Sequence, residues 1–585
     1  MDFDDRAADL AWNSTSASTS TSAAAKRERL ETLKNAATCF AQFEEASRAL
    51  DRLDGAHLWQ EDPVHPSYDY KLLQERLKQL KWLAKDANPD PQALSYLLRS
   101  TLSRNLGDMG SPCLYSHARI GTKQLVHEYI DQVCSQLDFL ADSDFGDAFT
   151  IHDKMSFFRN VQRSFGSTAL LLSGGATFGM IHVGVLKALH EANALPKVIS
   201  GSSAGSIVAA ILCTQESDNF EAAIDPHMTN REFYEDSSEV GNIFPKLYRF
   251  MNHGCVFDVE AFIKAARANL GGDITFQEAY NKSRRILNIA VSSSTRFEMP
   301  RLLNYLTAPN VVVWSAVAAS CALPLIYRSA PLMYKNSKGV LESWNPSGHR
   351  WIDGSVEGDL PMTRISELFD VNHFIVCQVN PHIMPFLSNS LKESWLVRAA
   401  NNLAYLIKSE TLHRLNQLYE IGIVSRQLHR LKSILVQKYS GDITIVPNMV
   451  PSDYLHIITN PSNELTEYLT LKGERATWPK IPLIQNHVRI EMCIDQALLR
   501  LRARHIQKIP ASSLSTAIKS EEALSTADEA SEDSGDCGAG GARRKGSGPF
   551  FGKKHGSVDA LSGLGISVAQ EERRRRSLLR TESLL

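Results

Sequence analysis

The chain has 585 residues, 43% hydrophobic and 22% charged, which excludes a wholly disordered or collagen-like polymer and leaves ample material for a large core. At roughly 100–200 residues per domain, this length predicts several domain-sized pieces. Sixty-three Lys and Arg against 65 Asp and Glu give a net charge of −2, so nothing global argues for nucleic acid as a partner.

Residues 1–25 hold a Ser/Thr tract without the basic start and apolar run of a secretory signal, and are expected to be disordered. From Lys26 to about Leu53, Leu30, Leu33, Ala37, Phe40 and Phe43 recur near helical spacing. Residues 70–87, 91–106 and 122–140 repeat that spacing with Gly, Pro and Asp between them, so 26–165 reads as a helical N-terminal domain without a catalytic cluster. The pattern changes at Ser167. Residues 168–173 form a short apolar run suited to a buried strand, Gly174 and Gly175 turn the chain, and 180–191 reads as a helix. A second strand at 197–200 leads through Gly201-Ser202-Ser203-Ala204-Gly205 into an apolar helix at 206–213. Later runs at 286–292, 373–379 and 442–446 alternate with helical text, the signature of an α/β sheet. The expected catalytic domain is 166–370, with the C-terminal part of the α/β region at 371–509. Residues 510–585, poor in large apolar side chains, read as a disordered tail.

The most apolar stretch, 311–326, is broken by Pro324 and falls short of the ~20 residues a transmembrane helix needs, so no such helix is expected and membrane contact would be peripheral. Nine scattered cysteines without a CxxC pair read as reduced thiols in a cytosol-facing protein.

Gly201-x-Ser203-x-Gly205 is the strongest local signal. A serine nucleophile on a sharp strand-to-helix turn needs small neighbours, and here a strand precedes and a helix follows. Ser203 would then sit at a helix N-terminus, where free N–H groups favour developing negative charge; the alternative is a Gly/Ser-rich packing turn. Gly174-Gly175-Ala176-Thr177-Phe178-Gly179 again joins a strand to a helix, and successive backbone N–H groups in such a loop can bind an oxyanion. Its spacing is wrong for a dinucleotide fingerprint, whereas a simple tight turn stays open. Asp353-Gly354-Ser355 supplies a carboxylate at a strand end, although Asp-Gly alone is also a common turn.

The order glycine-rich loop, GxSxG, Asp-Gly-Ser resembles the patatin-like phospholipases. The match extends through Leu172 to Gly179, His182 to Leu186, Ile199 to Ser206, Ala316 to Pro324 and Trp351 to Ser355. More narrowly, the chain is similar to the fungal and plant triacylglycerol lipases of lipid droplets, which carry a helical domain before the patatin core, echoed here in Trp59, Tyr68 to Tyr70, Arg104 to Gly107 and Tyr115 to Lys123. The resemblance covers roughly residues 30–505. It implies a three-layer α/β fold with a mostly parallel central sheet, and a Ser–Asp dyad without histidine. Ser203 would be the nucleophile, Asp353 the base, and the amides of Gly174, Gly175 and Ala176 the oxyanion hole. Many patatins have a third glycine and an arginine where this chain has Ala176 and Phe178.

An aspartate gains basicity only through partial burial and a short hydrogen bond to the serine hydroxyl. The competing α/β-hydrolase arrangement demands a histidine after the aspartate, with His373, His382 and His413 as candidates. His-x4-Asp strings, a mark of glycerolipid acyltransferases, occur at His57–Asp62, where chance suffices, and at His253–Asp258, a possible acyltransfer site. Residues 391–439 are amphipathic with eight Lys/Arg against three acids, and suit either an anionic lipid surface or the far face of the sheet. Ser577, behind Arg573 to Arg576, reads as a possible site for a basophilic kinase. The expected partners are a glycerolipid substrate and a lipid-droplet or endoplasmic-reticulum surface, with no metal and no organic cofactor. A phospholipase A, a lysophospholipid acyltransferase and an inactive droplet scaffold are the alternatives.

Overall fold

The structure is a computed structural model that describes residues 23–84, 90–216, 259–293, 301–322, 330–344, 351–353, 360–381, 383–384, 439–457 and 459–508, with isolated helical positions between 406 and 417. Asp258, His253, His382, Ser577 and nearly all of 391–439 lie outside the described residues. The chain divides into two compact units, 1–498 and 499–585, and the architecture below is that of the first.

Helices come first: α1 (Ala23–Ala36), α2 (Phe40–Leu53), α3 (Ala56–Glu61), α4 (Tyr70–Ala84), α5 (Pro91–Thr101), α6 (Gln124–Asp142) and α7 (Ile151–Phe165). The run from Lys26 to Leu53 is two helices rather than one, because the chain extends at Cys39. Pro91 stands at the first turn of α5, where its missing N–H is harmless, and Asp90 caps it by accepting from the Gln92 amide (2.9 Å). A capping box of Thr150 and Asp153 starts α7.

The sheet follows. Strands β1 (Ser167–Leu172), β2 (Val198–Gly201), β3 (Ile286–Ser293), β4 (Arg301–Leu303), β7 (Trp351–Asp353), β8 (Val371–Cys377) and β9 (Ile443–Ile445) join in the order β4-β3-β2-β1-β8-β9, with β7 also on β3, while β5 (Met333–Lys335) and β6 (Leu341–Ser343) form a separate hairpin. Within the larger sheet the described strands pair in parallel along β3-β2-β1-β8-β9, while β4 and β7 join β3 antiparallel. This is the mostly parallel α/β sheet the sequence led us to expect. Leu170 and Leu172 of β1 enter one core with α8 (Met180–Glu191), α9 (Ala204–Thr214), α12 (Val313–Ser320) and α14 (Asn463–Thr477). Ala169 and Leu171 enter a smaller core on the other face, with Ile365 of α13 (Met362–Phe369). Burial on both faces explains the continuous apolar text of β1. The remaining helices are α10 (Val259–Asn269), α11 (Phe276–Ser283) and α15, which begins at Ile481.

Two contacts fix the site's surroundings. Arg104, from the helical N-terminal region, donates to the Gly166 and His487 carbonyls, to Thr168 Oγ1 and to Glu491, with distances of 2.7–3.1 Å. That ties the base of β1 to α15. Helices α8 and α14 cross at backbone contact: a Cβ at Gly184 would collide with the Thr470 carbonyl, and one at Gly473 with the Ile181 carbonyl. Gly473→Val should therefore lower stability by more than the ~1–3 kcal/mol typical of overpacking, because backbone cannot yield as a side chain does; a thermal melt within a degree of wild type would contradict this crossing.

Candidate active site

The geometry begins at the end of β2. Gly201 pairs with Leu172 on one side and Ile289 on the other, after which the chain leaves the sheet and enters α9. Ser203 caps that helix at φ 49°, ψ −125°, a backbone region that L-residues avoid and that costs roughly 1–3 kcal/mol. Its neighbours show how this is tolerated. A Cβ on Gly201 would strike the Gly205 carbonyl, and one on Gly205 the Leu172 carbonyl, so the turn closes only with glycine on both sides. Ser202 N–H donates to the Leu172 carbonyl (3.1 Å), and Ser206 donates to the Ser203 carbonyl through its amide (2.8 Å) and its hydroxyl (2.6 Å).

Ser320, which sequence reasoning missed, completes the elbow. Fully buried at the end of α12, its hydroxyl donates to the Ala290 carbonyl of β3 (2.8 Å) and accepts from the Ser203 amide (3.0 Å). The one signal for it was its place in the stretch Ala316 to Pro324.

Strand β7 carries Asp353. Val291 pairs with Arg301 of β4 on one edge and with Asp353 on the other, so β7 lies on the β2 side of β3. There it occupies the lane that β2 vacates at Gly201, which pairs with Ile289. The Asp353 backbone therefore stands two residue rises, roughly 7 Å, beyond the level of Gly201, where Ser203 has turned out of the sheet. Strand β7 runs toward the elbow, and Asp353 is its residue nearest the turn.

The glycine loop follows β1, next to the elbow. Ala176 sits at φ 52°, the left-handed region that favours glycine, so the alanine in place of a third glycine is held there against a preference of roughly 1–2 kcal/mol. Thr177 and Phe178 spend their amides on the Ile457 and Gly175 carbonyls. The amides of Gly175, Ala176 and Ala204 have no acceptor among the described residues; Ala204, at the first turn of α9, is a donor the sequence reading did not name. Free N–H groups that meet at one point can hold a tetrahedral oxyanion.

Histidines are arranged differently from a triad. His373 pairs with Thr168, while Gly201 pairs with Leu172, four residues or roughly 13 Å along the parallel strands. That places His373 at the opposite end of the sheet from Ser203, too far to serve as its base. His413 is exposed and contacts Gln417, and His57 is exposed while Asp62 accepts from the Val64 amide. His182 is buried beside the glycine loop with both nitrogens engaged: Nε2–H donates to the Ser173 carbonyl (2.9 Å) and Nδ1 accepts from the Cys377 thiol (3.0 Å). Among the described residues, no group of three or more His, Cys, Asp or Glu could hold a metal ion.

Residues 170–364 match the patatin-like phospholipase family, and residues 20–163 match the domain of unknown function DUF3336. Triacylglycerol lipase ptl3 of Schizosaccharomyces pombe is 37% identical over 80% of this chain and 96% of that protein. The chain belongs to the patatin-like phospholipase family. Triacylglycerol lipase 4 of Saccharomyces cerevisiae is 40% identical over 81% of this chain, and Triacylglycerol lipase SDP1L of Arabidopsis thaliana 38% over 76%. The matched region spans about half the length of these two relatives, 53% and 55%. Among solved structures the chain is similar to VipD from Legionella pneumophila, at 15% identity and a TM-score of 0.26 over 52% of this chain and 67% of that one.

Two outcomes follow. Ser320→Ala removes the acceptor of the strained amide, so kcat on a soluble ester should fall about 10- to 100-fold with KM nearly unchanged; steady-state kinetics with wild-type values would refute a positioning role. Burial lowers the His182 pKa to about 4, against 6.5 unperturbed. The unfolded chain therefore takes up this proton near pH 6.5, and the folded one does so only near 4. The stability at stake, about 3 kcal/mol, is present above pH 6.5 and lost as pH falls toward 4. Buried His373 and His487 are lowered too and add in the same direction. The melting midpoint should drop across that window, and less so in His182→Gln; parallel curves would contradict the assignment.

Proposed function

We propose that this chain is a serine ester hydrolase acting on neutral glycerolipid as a triacylglycerol lipase, with Ser203 as nucleophile and Asp353 as base. The observation that carries this reading is the register that sets Asp353 in the β2 lane beside the elbow. Asp353 takes the Ser203 proton as the hydroxyl oxygen attacks the ester carbonyl. The amides of Gly174, Gly175 and Ala176, with that of Ala204, receive the oxyanion, and α9 adds the field of its N-terminus. Collapse of the tetrahedral intermediate expels the glyceride alkoxide, which leaves as an alcohol with the proton from Asp353. Water then attacks the acyl-enzyme, Asp353 accepts its proton, and Ser203 leaves with that proton as the fatty acid departs.

The relatives' names support triacylglycerol as the substrate. Among the described residues no helix is long and apolar enough to cross a membrane, which is compatible with peripheral work at a lipid droplet or on the cytosolic face of the endoplasmic reticulum. The helical region 26–165 would serve as a brace for the catalytic region, through Arg104.

A fluorophosphonate probe followed by a substrate panel tests this. Wild type should label at Ser203 and release fatty acid from triolein emulsion faster than from phosphatidylcholine. Ser203→Ala should lose labelling and at least about 10³-fold in rate, and Asp353→Asn about 10²-fold or more. Full activity in Ser203→Ala would refute the nucleophile, whereas faster phospholipid cleavage or transfer to a lysolipid would move the protein to phospholipase A or acyltransferase.

A further inference from the structure

The catalytic face carries an apolar edge that the chemistry above does not use. The 3₁₀ turn Pro451–His456 follows β9, and it is built rigidly. Asp453, only 6% exposed, accepts from the Val450 amide (2.8 Å) and the Tyr468 hydroxyl (3.2 Å), and pairs with Lys472. Tyr454 and Ile457 pack inward against the main core. Leu455, between them, is 80% exposed, the largest exposure among the described large hydrophobic residues, with Val450 at 49% and Tyr468 at 44% around the same Asp453. A single exposed leucine is ordinary; here Asp453 fixes the turn that carries it, through the Val450 amide and the Tyr468 hydroxyl, and both of those residues are exposed as well.

The turn is bonded to the glycine loop. Ile457's carbonyl accepts from the Thr177 amide (3.2 Å) and hydroxyl (2.8 Å), that hydroxyl also donates to the Thr459 carbonyl (2.9 Å), and the Tyr454 ring meets Phe178 edge-on at 5.7 Å. Anything that receives Leu455 is therefore held beside Gly175 and Ala176. Residues 449–457 contain no Lys or Arg, and the one acid, Asp453, is matched by Lys472, which also lies 4.4 Å over the Tyr468 ring; with exposed His456 as the remaining basic group of the turn, the edge has no cluster of cations for anionic headgroups.

From this we infer that the 450–457 turn is the docking edge for an uncharged lipid surface, with Leu455 entering the hydrocarbon and Val450 and Tyr468 at its margin. The inference rests on the lipid-ester reading. Docking here brings the glycine loop to the interface, so that an ester drawn out of the lipid reaches Ser203 without crossing bulk water.

The test compares full-length wild type, Leu455→Asp and Leu455→Trp in flotation with triolein droplets coated in phosphatidylcholine, in hydrolysis of those droplets, and in hydrolysis of dissolved p-nitrophenyl butyrate. Leu455→Asp should weaken droplet binding and droplet hydrolysis about tenfold or more, while Leu455→Trp should match or exceed wild type, since the turn would bury an apolar side chain in one case and a charge in the other. Both variants should cleave the dissolved ester at the wild-type rate. Unchanged flotation and droplet hydrolysis in Leu455→Asp would overturn the docking edge and leave the hydrolase standing. Loss of dissolved-ester cleavage in that variant would also overturn it, by making Leu455 part of the catalytic framework. A wild type inert on the dissolved ester would instead strike the hydrolase reading, while the flotation arm still decides docking.

Discussion

The site depends on holding one serine in a backbone conformation it would not choose. At φ 49°, Ser203 stays put because everything around it is already fixed. Glycines 201 and 205 let the strand end and the helix start interpenetrate, and Ser320 catches the Ser203 amide while holding the Ala290 carbonyl of β3. The same strand pairs with Asp353 one residue further on. The elbow and the proposed base are thus referenced to one strand, so their separation is set by sheet register rather than by a loop.

That rigidity extends to the glycine loop. Its root, Ser173, is gripped by His182 through its carbonyl, and its hydroxyl accepts from the Val379 amide. Its outer side is bonded to Ile457, and the helix that follows lies at backbone contact with α14 through Gly184 and Gly473. At the far end of β1, Arg104 fastens the N-terminal helices to Thr168 and Glu491. This ion pair is nearly dry, with side chains 9% and 13% exposed; the three further bonds that Arg104 donates, to Thr168 Oγ1 and to the His487 and Gly166 carbonyls, offset part of the lost hydration, while its buried Nε has no partner among the described residues. The N-terminal region thus acts on the catalytic sheet by fixing the base of β1, away from the elbow.

Much of this was legible because it is local. The apolar run 168–173, the glycine turn, the helix 180–191 and the Gly-x-Ser-x-Gly turn each carry their own conformational reason, and they appear within a residue or two of the expected positions. What was not legible is non-local. No spacing announces that β7 takes over the lane of β2, because strand order is set by how helices pack on the sheet. Ser320 lay in an apolar run that reads as core, and its role exists only through Ala290 and Ser203. His373 looked like a triad candidate by chain order, and the register carries it to the wrong end of the sheet. Gly184 and Gly473, almost three hundred residues apart in sequence, meet only in the folded chain.

The central claim is that Ser203 works with an aspartate and backbone amides, without an imidazole. A crystal structure of the protein after reaction with a phosphonate ester tests it most directly. The account predicts phosphorus bonded to Ser203 Oγ, the phosphonyl oxygen within about 3.1 Å of the Gly175 and Ala176 amides, and the Asp353 carboxylate within hydrogen-bonding reach of the Ser203 oxygen. An adduct on another residue, or a histidine ring beside Ser203 Oγ in place of Asp353, would contradict it.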